Sequence, residues 1–299
     1  MSAHHLTKAA LRAEGLPRRQ AVNRLMELLA WLAAAIAMGF LVLVVWSVAR
    51  RGWSELNLDL ITKAPASGFL ATGKQGLANA FAGTLVIVAL ATLLALPTGI
   101  LVAVYLNEFA PPPIRSAVGV ALDVLNGVPA IVIGIFVYGL LVLGHGPSAF
   151  AGSFALAVIM LPLVARATTE VLALVPGSLR EASLALGVPR WRTTLGVVLP
   201  QTFGGIVTGT TLAVARAAGE TAPLLFTSSV AVGTQVHWNP QHPLQSVPVA
   251  IFELSESPNP QDHARAWAAA LVLLLFILLT SLAARRLATR HRLRLTSSR

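Results

Sequence analysis

Arg216 and Glu220 stand four residues apart in the run Arg216-Ala-Ala-Gly219-Glu220-Thr221-Ala-Pro223-Leu-Leu-Phe226, inside an otherwise apolar stretch. An arginine in a membrane-spanning helix costs about 2.5–3.5 kcal/mol on the insertion scale, so its presence calls for a reason. At that spacing the two side chains share one helical face. One reason is structural: the pair neutralises itself inside a helix bundle. The other is chemical. A guanidinium offers a planar fork of donors that suits a tetrahedral oxyanion. Glu220 can hold Arg216 while the path is empty and keep anion affinity low enough for release. It can also accept a hydrogen bond from a protonated phosphate, which sulfate does not offer at neutral pH. Thr208, Thr211 and Thr221 add hydroxyls nearby, although a threonine in a span often bonds its own helix backbone.

A second group of residues lies in 176–200: Pro176-Gly-Ser178-Leu179-Arg180-Glu181-Ala182-Ser183-Leu-Ala-Leu186-Gly187-Val-Pro189-Arg190-Trp191-Arg192, closing on Val197-Val-Leu199-Pro200. Connections between elements have a median near 5 residues, and this one is far longer. Ser178 with Glu181 three residues on has capping-box spacing. Leu179, Ala182 and Leu186 repeat at helical intervals, Gly187 reads as a C-cap, and Pro189 can open a second helix. The expectation is two short helices at one membrane face. A headgroup-anchored amphipathic hairpin gives the same pattern.

These groups need spans to hold them. The chain has 299 residues, 56% hydrophobic and 11% charged, with mean hydropathy +0.74. Soluble domains carry about 25% charged residues, so this chain requires lipid as solvent. Six stretches reach the roughly 20 residues that cross a bilayer: 25–48, 80–106, 118–143, 150–175, 203–230 and 266–287. The expected architecture is all-α and polytopic, with a tail at 1–24, a permease domain over 25–288 and a basic tail at 289–299. The first apolar run is expected to be a retained helix rather than a cleaved leader.

A net charge of +10 would favour nucleic acid in a soluble protein. Here the basic residues flank spans. Lys8, Arg12, Arg18, Arg19 and Arg24 precede the first, Arg180, Arg190 and Arg192 follow the fourth, and Arg285, Arg286, Arg290, Arg292, Arg294 and Arg299 follow the last. The segment 231–262 has no Lys or Arg. The positive-inside rule then makes both tails and the 176–200 loop cytoplasmic. Arg50, Arg51, Lys63 and Lys74 are the exceptions. No nucleic-acid partner is implied.

Pro97 with Gly99, Gly127 with Pro129, and Pro223 interrupt three spans, and Gly205-xxx-Gly209 allows close helix approach. Asp123 reads as the partner of Arg115 or Arg166. His145, His237, His242 and His263 lack metal-site spacing. Trp31, Trp53, Trp238 and Trp267 suit interface belts. Cysteine is absent, which excludes disulfides, Cys-based metal sites and thiol nucleophiles.

The Glu181-Ala182, Gly187, Leu199-Pro200 pattern resembles the EAA loop of ABC importer permeases, with Ser183 in place of the third triplet residue. Arg216 through Ser228 is similar to the PstA family of phosphate permease subunits. So are Gly76-Leu-Ala-Asn-Ala80 with Gly83-Thr-Leu85, Tyr105-Leu-Asn-Glu108-Phe109, and Leu122-Asp-Val-Leu-Asn126-Gly-Val-Pro-Ala130-Ile-Val-Ile-Gly134. Asn126 and Ala130 depart from the Ser-like residues of that family. The likeness covers about 50–285. It implies a type I ABC importer permease fold in which Glu181, Ala182, Gly187, Pro189, Arg190, Leu199 and Pro200 couple to an ATPase, and Arg216, Glu220, Thr221 and Thr208 line the path of phosphate. It also implies a PstC-like sister permease, two PstB-like ATPase subunits and a PstS-like soluble binding protein meeting the outer loops 52–79 and 231–262. ATP and Mg would be bound by the ATPase, since no G-x-x-x-x-G-K-[ST] loop occurs in this chain. The chain itself is expected to be non-catalytic. Alternatives in view are another oxyanion (sulfate or molybdate) and a phosphate-signalling subunit with little flux. A passive channel would leave the long loop without purpose.

Overall fold

The computed structural model describes residues 16–65, 76–228, 236 and 238–297, with side chains described from 19 to 286 within those limits. Lys8, Arg12, Lys74, His237 and Arg299 lie outside the described residues, as do the side chains of Arg18, Arg290, Arg292 and Arg294. No strand occurs among the described residues. The chain divides into two units, Met1–Arg51 and Gly52–Arg299.

Helix α1, Leu16–Gly52, makes up the described part of the first unit except for its last residue, Gly52, where the second unit begins. Its apolar residues run all round the helix between clusters of arginine at the two ends, the pattern of a helix solvated by lipid. At 1.5 Å per residue its 37 residues measure about 55 Å, longer than a bilayer core.

The second unit begins with a short helix, α2 (Leu58–Thr62), capped by the Asn57 side chain, which accepts from the Leu60 amide at 2.9 Å. Helix α3 (Ala78–Val104) runs on through a π-turn at Tyr105–Phe109. Pro97 lies within α3 without ending it. Helices α4 (Pro112–Gly127) and α5 (Ala130–Val137, continued by a π-turn to Val142) follow, then α6 (Ala149–Ala173). Helix α7 (Gly177–Ala185) and the single turn α8 (Arg190–Thr193) lead through a π-turn at Thr194–Val198 into α9 (Leu199–Ala218). Two short helices, α10 (Ala222–Thr227) and α11 (Val247–Glu256), precede the long α12 (Pro260–Ser297).

Among the described residues, five helices have the length and apolarity of membrane spans, and α4 with α5 makes a sixth when counted as one broken span. The apolar stretch 118–143 is therefore not one straight helix. Its halves meet at 96°. Proline disfavours helical backbone in the residue before it, and Val128 (ψ 129°) and Pro129 (ψ 133°) are both extended. Two extended residues in succession turn the chain.

The centre of this unit is the packing of α3 on α6. A Cβ added at Gly99 would stand 2.9 Å from Val164 Cγ1. Helix α9 lies against α6 in the same manner, since Cβ atoms at Gly205 and Gly209 would stand 2.5 Å from Val171 Cγ1 and from Ala167 Cβ. The Gly205-xxx-Gly209 pair is thus used within the chain. Ile87, Ala91, Val137, Leu156, Met160, Ala213 and Leu224 complete a core made largely of small and aliphatic residues.

Candidate functional site

Helix α9 ends at Ala218, with Gly219 as its C-cap. Arg216 sits in the last turn, where the unsatisfied carbonyls of a helix C-terminus favour a cation. Glu220 lies just beyond the helix, its amide bonded to the Ala217 carbonyl at 3.2 Å. Arg216 Nε donates to Glu220 Oε1 at 3.4 Å, and the Arg216 side chain is 51% exposed against 20% for Glu220. One long contact occupies a single donor of the guanidinium, so most of its fork stays open. Thr221 N-caps α10 through its backbone, its carbonyl accepting from Leu224 and Leu225, with no side-chain cap.

Thr208 is exposed on the same face of α9 as Arg216, about 12 Å away along the axis at eight residues' rise. Its hydroxyl donates to Gly204 O at 2.8 Å, and that of Thr211 to Val207 O at 2.7 Å. Arg216, Glu220 and Thr221 therefore form one cluster. Thr208 belongs to a stripe leading away from it and offers acceptor lone pairs only. The chain broken after Arg216 resumes as α10, which packs on α5, the helix that resumes after Pro129. A Cβ at Gly134 would stand 2.6 Å from Pro223 Cα, so the two resumed helices touch backbone to backbone.

The 176–200 region differs from the expected pair of short helices in two ways. Ser178 is not the cap. Helix α7 starts at Gly177 from an extended Pro176, with no side-chain bond at its N-cap. The second helix is not separate: α8 runs without a break into α9, so Leu199 and Pro200 lie inside one continuous helix from Arg190 to Ala218. Pro200 lacks an N–H and its ring crowds the carbonyl four residues back. The π-turn at Thr194–Val198 is where the ladder loosens to admit it.

Gly187 adopts φ +76°. Its amide donates to Leu184 O at 2.9 Å and the Val188 amide to Ser183 O at 3.2 Å, the paired bonds of a Schellman motif. Ser183 is buried, its Oγ 2.9 Å from Thr193 Oγ1, which ties α7 to α8. Glu181 and Ala182 are exposed on α7, Pro189 and Arg190 at the start of α8. Leu186 is 82% exposed and Trp191 53%, with Arg192 Cζ 5.0 Å above the Trp191 ring. The outcome is a rigid, partly apolar knob joined to α9.

Two further ion pairs tie the helices of this unit to one another. Asp123 pairs with Arg166, whose Nη2 also donates to Gly119 O at 2.7 Å. Arg115 instead donates to the Leu106 and Asn107 carbonyls at the end of α3. Arg180 pairs with Glu108, 72 residues earlier, a contact that no local spacing announces.

Residues 95–293 match the family described as binding-protein-dependent transport system inner membrane component. A phosphate transport system permease protein PstA of Xylella fastidiosa strain 9a5c is 40% identical over 281 residues, covering 92% of this chain and 96% of the relative. The chain belongs to the PstA family. Other PstA relatives come from Pasteurella multocida (38% identical, covering 89% and 94%) and, as PstA 1, from Mycobacterium tuberculosis strain H37Rv (38%, covering 92% and 91%). Among solved structures, this PstA-family chain superposes on the MetNI methionine ABC transporter in an inward-facing form with TM-score 0.58 at 17% identity, covering 70% and 93%. It superposes on a bacterial alginate ABC transporter with TM-score 0.60 at 15% identity, covering 87% and 94%. At that identity the likeness concerns the fold, which is that of type I ABC importer permeases.

Proposed function

We propose that the chain is the phosphate-translocating permease subunit of an ABC importer, with Arg216 as the anion contact. The observation that carries the reading is the open guanidinium fork of Arg216 at the end of α9, held by one 3.4 Å contact to Glu220. A phosphate oxygen pair can compete for those donors with little loss, because the resting contact is long and single. The names of the PstA relatives support phosphate over other oxyanions.

In this reading a sister permease supplies the other wall of the path, and a soluble phosphate-binding protein delivers the cargo from outside. Two copies of a separate ATPase, binding ATP and Mg, receive the α7 knob through Glu181, Ala182 and the apolar Leu186 and Trp191. The Lys and Arg distribution supports cytoplasmic placement of both termini and of α7. Closure of the two ATPase subunits would drive the knobs together and rock the spans attached to them.

The test is ATP-dependent phosphate uptake in proteoliposomes holding the whole complex, with Arg216→Gln beside the parent. One hydrogen bond to a charged group is worth about 1.5–3 kcal/mol, so uptake should fall roughly ten- to hundred-fold while assembly and ATP hydrolysis persist. Undiminished uptake would make the Arg216–Glu220 pair structural. A parent complex that carried sulfate or molybdate in place of phosphate would move the chain to another oxyanion.

A further inference from the structure

Transport driven from below requires that α7 cannot slip against the spans it is meant to move. The Schellman turn and the Ser183–Thr193 bond join α7 to α8 and so to α9. They do nothing for α3 and α6, the pair at the centre of the fold. Leu179 of α7 packs on an apolar cluster that includes Ala103 of α3 and Leu172 of α6, a contact that does not fix direction, and the polar connection to both helices is made by one side chain. Arg180 leaves α7 and places its guanidinium between the ends of both helices. Its Nε lies 3.2 and 3.1 Å from the two carboxylate oxygens of Glu108, and its Nη2 lies 2.8 Å from Oε1. Nη1 donates to Val175 O at 2.7 Å, just beyond α6, and Nη2 to Leu172 O at 3.0 Å, in the last turn of α6.

Glu108 is in the π-turn that ends α3, and Asn107 Nδ2 donates to its Oε1 at 2.8 Å. The two side chains are 23% and 10% exposed, so the pair is shielded from the screening that makes surface ion pairs weak. A fork bound at both ends fixes orientation as well as distance, which a lysine cannot do.

We propose that Arg180 and Glu108 form the joint through which movement of the α7 knob is transmitted to α3 and α6. They are positioning residues: neither touches cargo or nucleotide, and each acts through the helices it clamps. The proposal deepens the importer reading above and rests on it for the direction of force. The joint predicts that α7 and the inner end of α3 move as one body through the cycle. Without it, ATP-driven displacement of α7 is absorbed as local slippage and the spans stay where they are.

The experiment uses the full complex in lipid, carrying Arg180→Gln, Glu108→Gln or Arg180→Lys. The chain has no cysteine, so cysteines introduced at Leu101 on α3 and Ser178 on α7, both exposed and neither in the surface assigned to the ATPase, give the only label sites on it. Spin-label distances are measured without nucleotide and in the ATP–vanadate trapped state. The parent should give the same distribution in both states. Arg180→Gln should broaden it and shift it on trapping, and Glu108→Gln, which keeps the carbonyl bonds of Arg180, should do so less.

In the same complexes, phosphate taken up per ATP hydrolysed should fall about ten-fold for Arg180→Gln, the factor one charge-assisted hydrogen bond carries. Arg180→Lys should recover part of that ratio. A merely structural role would lower uptake and hydrolysis together and leave their ratio alone, which overturns the proposal. So does a distance that changes with nucleotide in the parent, or one that Arg180→Gln leaves untouched. A parent complex that hydrolyses ATP without moving phosphate refutes the cargo reading instead, and the distance measurement still decides the joint.

Discussion

Gly187 stands at φ +76° with no atom within 4 Å of where a Cβ would be. Space is therefore not what requires glycine there; backbone conformation is. An L-residue in the left-handed region costs about 1–2 kcal/mol, and asparagine less than alanine. Gly187→Ala should lower the thermal unfolding midpoint of the assembled complex, and Gly187→Asn should lower it by a smaller amount. Equal losses would point to contact with a partner surface rather than to φ. At this scale the sequence is readable where chemistry is local. Gly187 as a C-cap and the Arg216–Glu220 spacing depend on residues within one turn. The Ser183–Thr193 bond depends on a reversal between them, and the Glu108–Arg180 pair on three helix ends meeting, so neither has a signature in spacing.

At the scale of elements, the contact between α5 and α10 is the tightest consequence of the two broken spans. Gly134 faces Pro223, and a Cβ there would stand 2.6 Å from Pro223 Cα and 3.3 Å from its carbonyl oxygen. Both neighbours are backbone and cannot step aside by a rotamer change. Gly134→Ala should force α5 and α10 apart, with a cost of about 1–3 kcal/mol typical of overpacking. Because α10 follows directly from the Arg216–Glu220 cluster, phosphate uptake should drop with it. Gly139→Ala, with nothing within 4 Å, should be silent in the same uptake and stability assays.

Hydropathy located the apolar stretches because apolarity is what lipid selects. It could not orient them. A window that counts apolar residues over 118–143 is blind to the extended Val128 and Pro129 that turn the chain, and one over 203–230 runs through the break at Gly219. The continuity of α8 with α9 escaped for the converse reason. Pro189 opens α8 as its position suggests, but Pro200 reads as the end of the loop, and the π-turn instead lets it sit within the helix that Pro189 opens.

Over the whole molecule, polar groups collect where the helices meet the loops. One such seam joins the start of α3 to the segment before α11. The Val247 amide donates to Thr84 Oγ1 at 2.8 Å, and Asn79 Nδ2 donates to Gln245 Oε1 at 3.2 Å. A Cβ at Gly83 would stand 2.0 Å from the Gln245 carbonyl oxygen, so backbone meets backbone here. Gln245 in turn donates from Nε2 to Glu253 Oε2 on α11. Burial raises the pKa of Glu253 above the usual carboxylate range, and the bond from Gln245 opposes that rise without cancelling it. A carboxyl whose folded pKa is raised stabilises the fold fully below its unfolded pKa, and that contribution is lost as pH rises through the folded value.

The seam should accordingly be firmest in mild acid and weaker at neutral pH, where a charged carboxylate is held away from water. Glu253→Gln is neutral at every pH and keeps an acceptor oxygen for Gln245. It should raise the unfolding midpoint of the complex at neutral pH and flatten its decline between mildly acidic and neutral buffer, as read by thermal unfolding across a pH series. A lower midpoint at neutral pH would mean that the charge-assisted bond from Gln245 outweighs desolvation, reversing the sign of the seam's pH dependence.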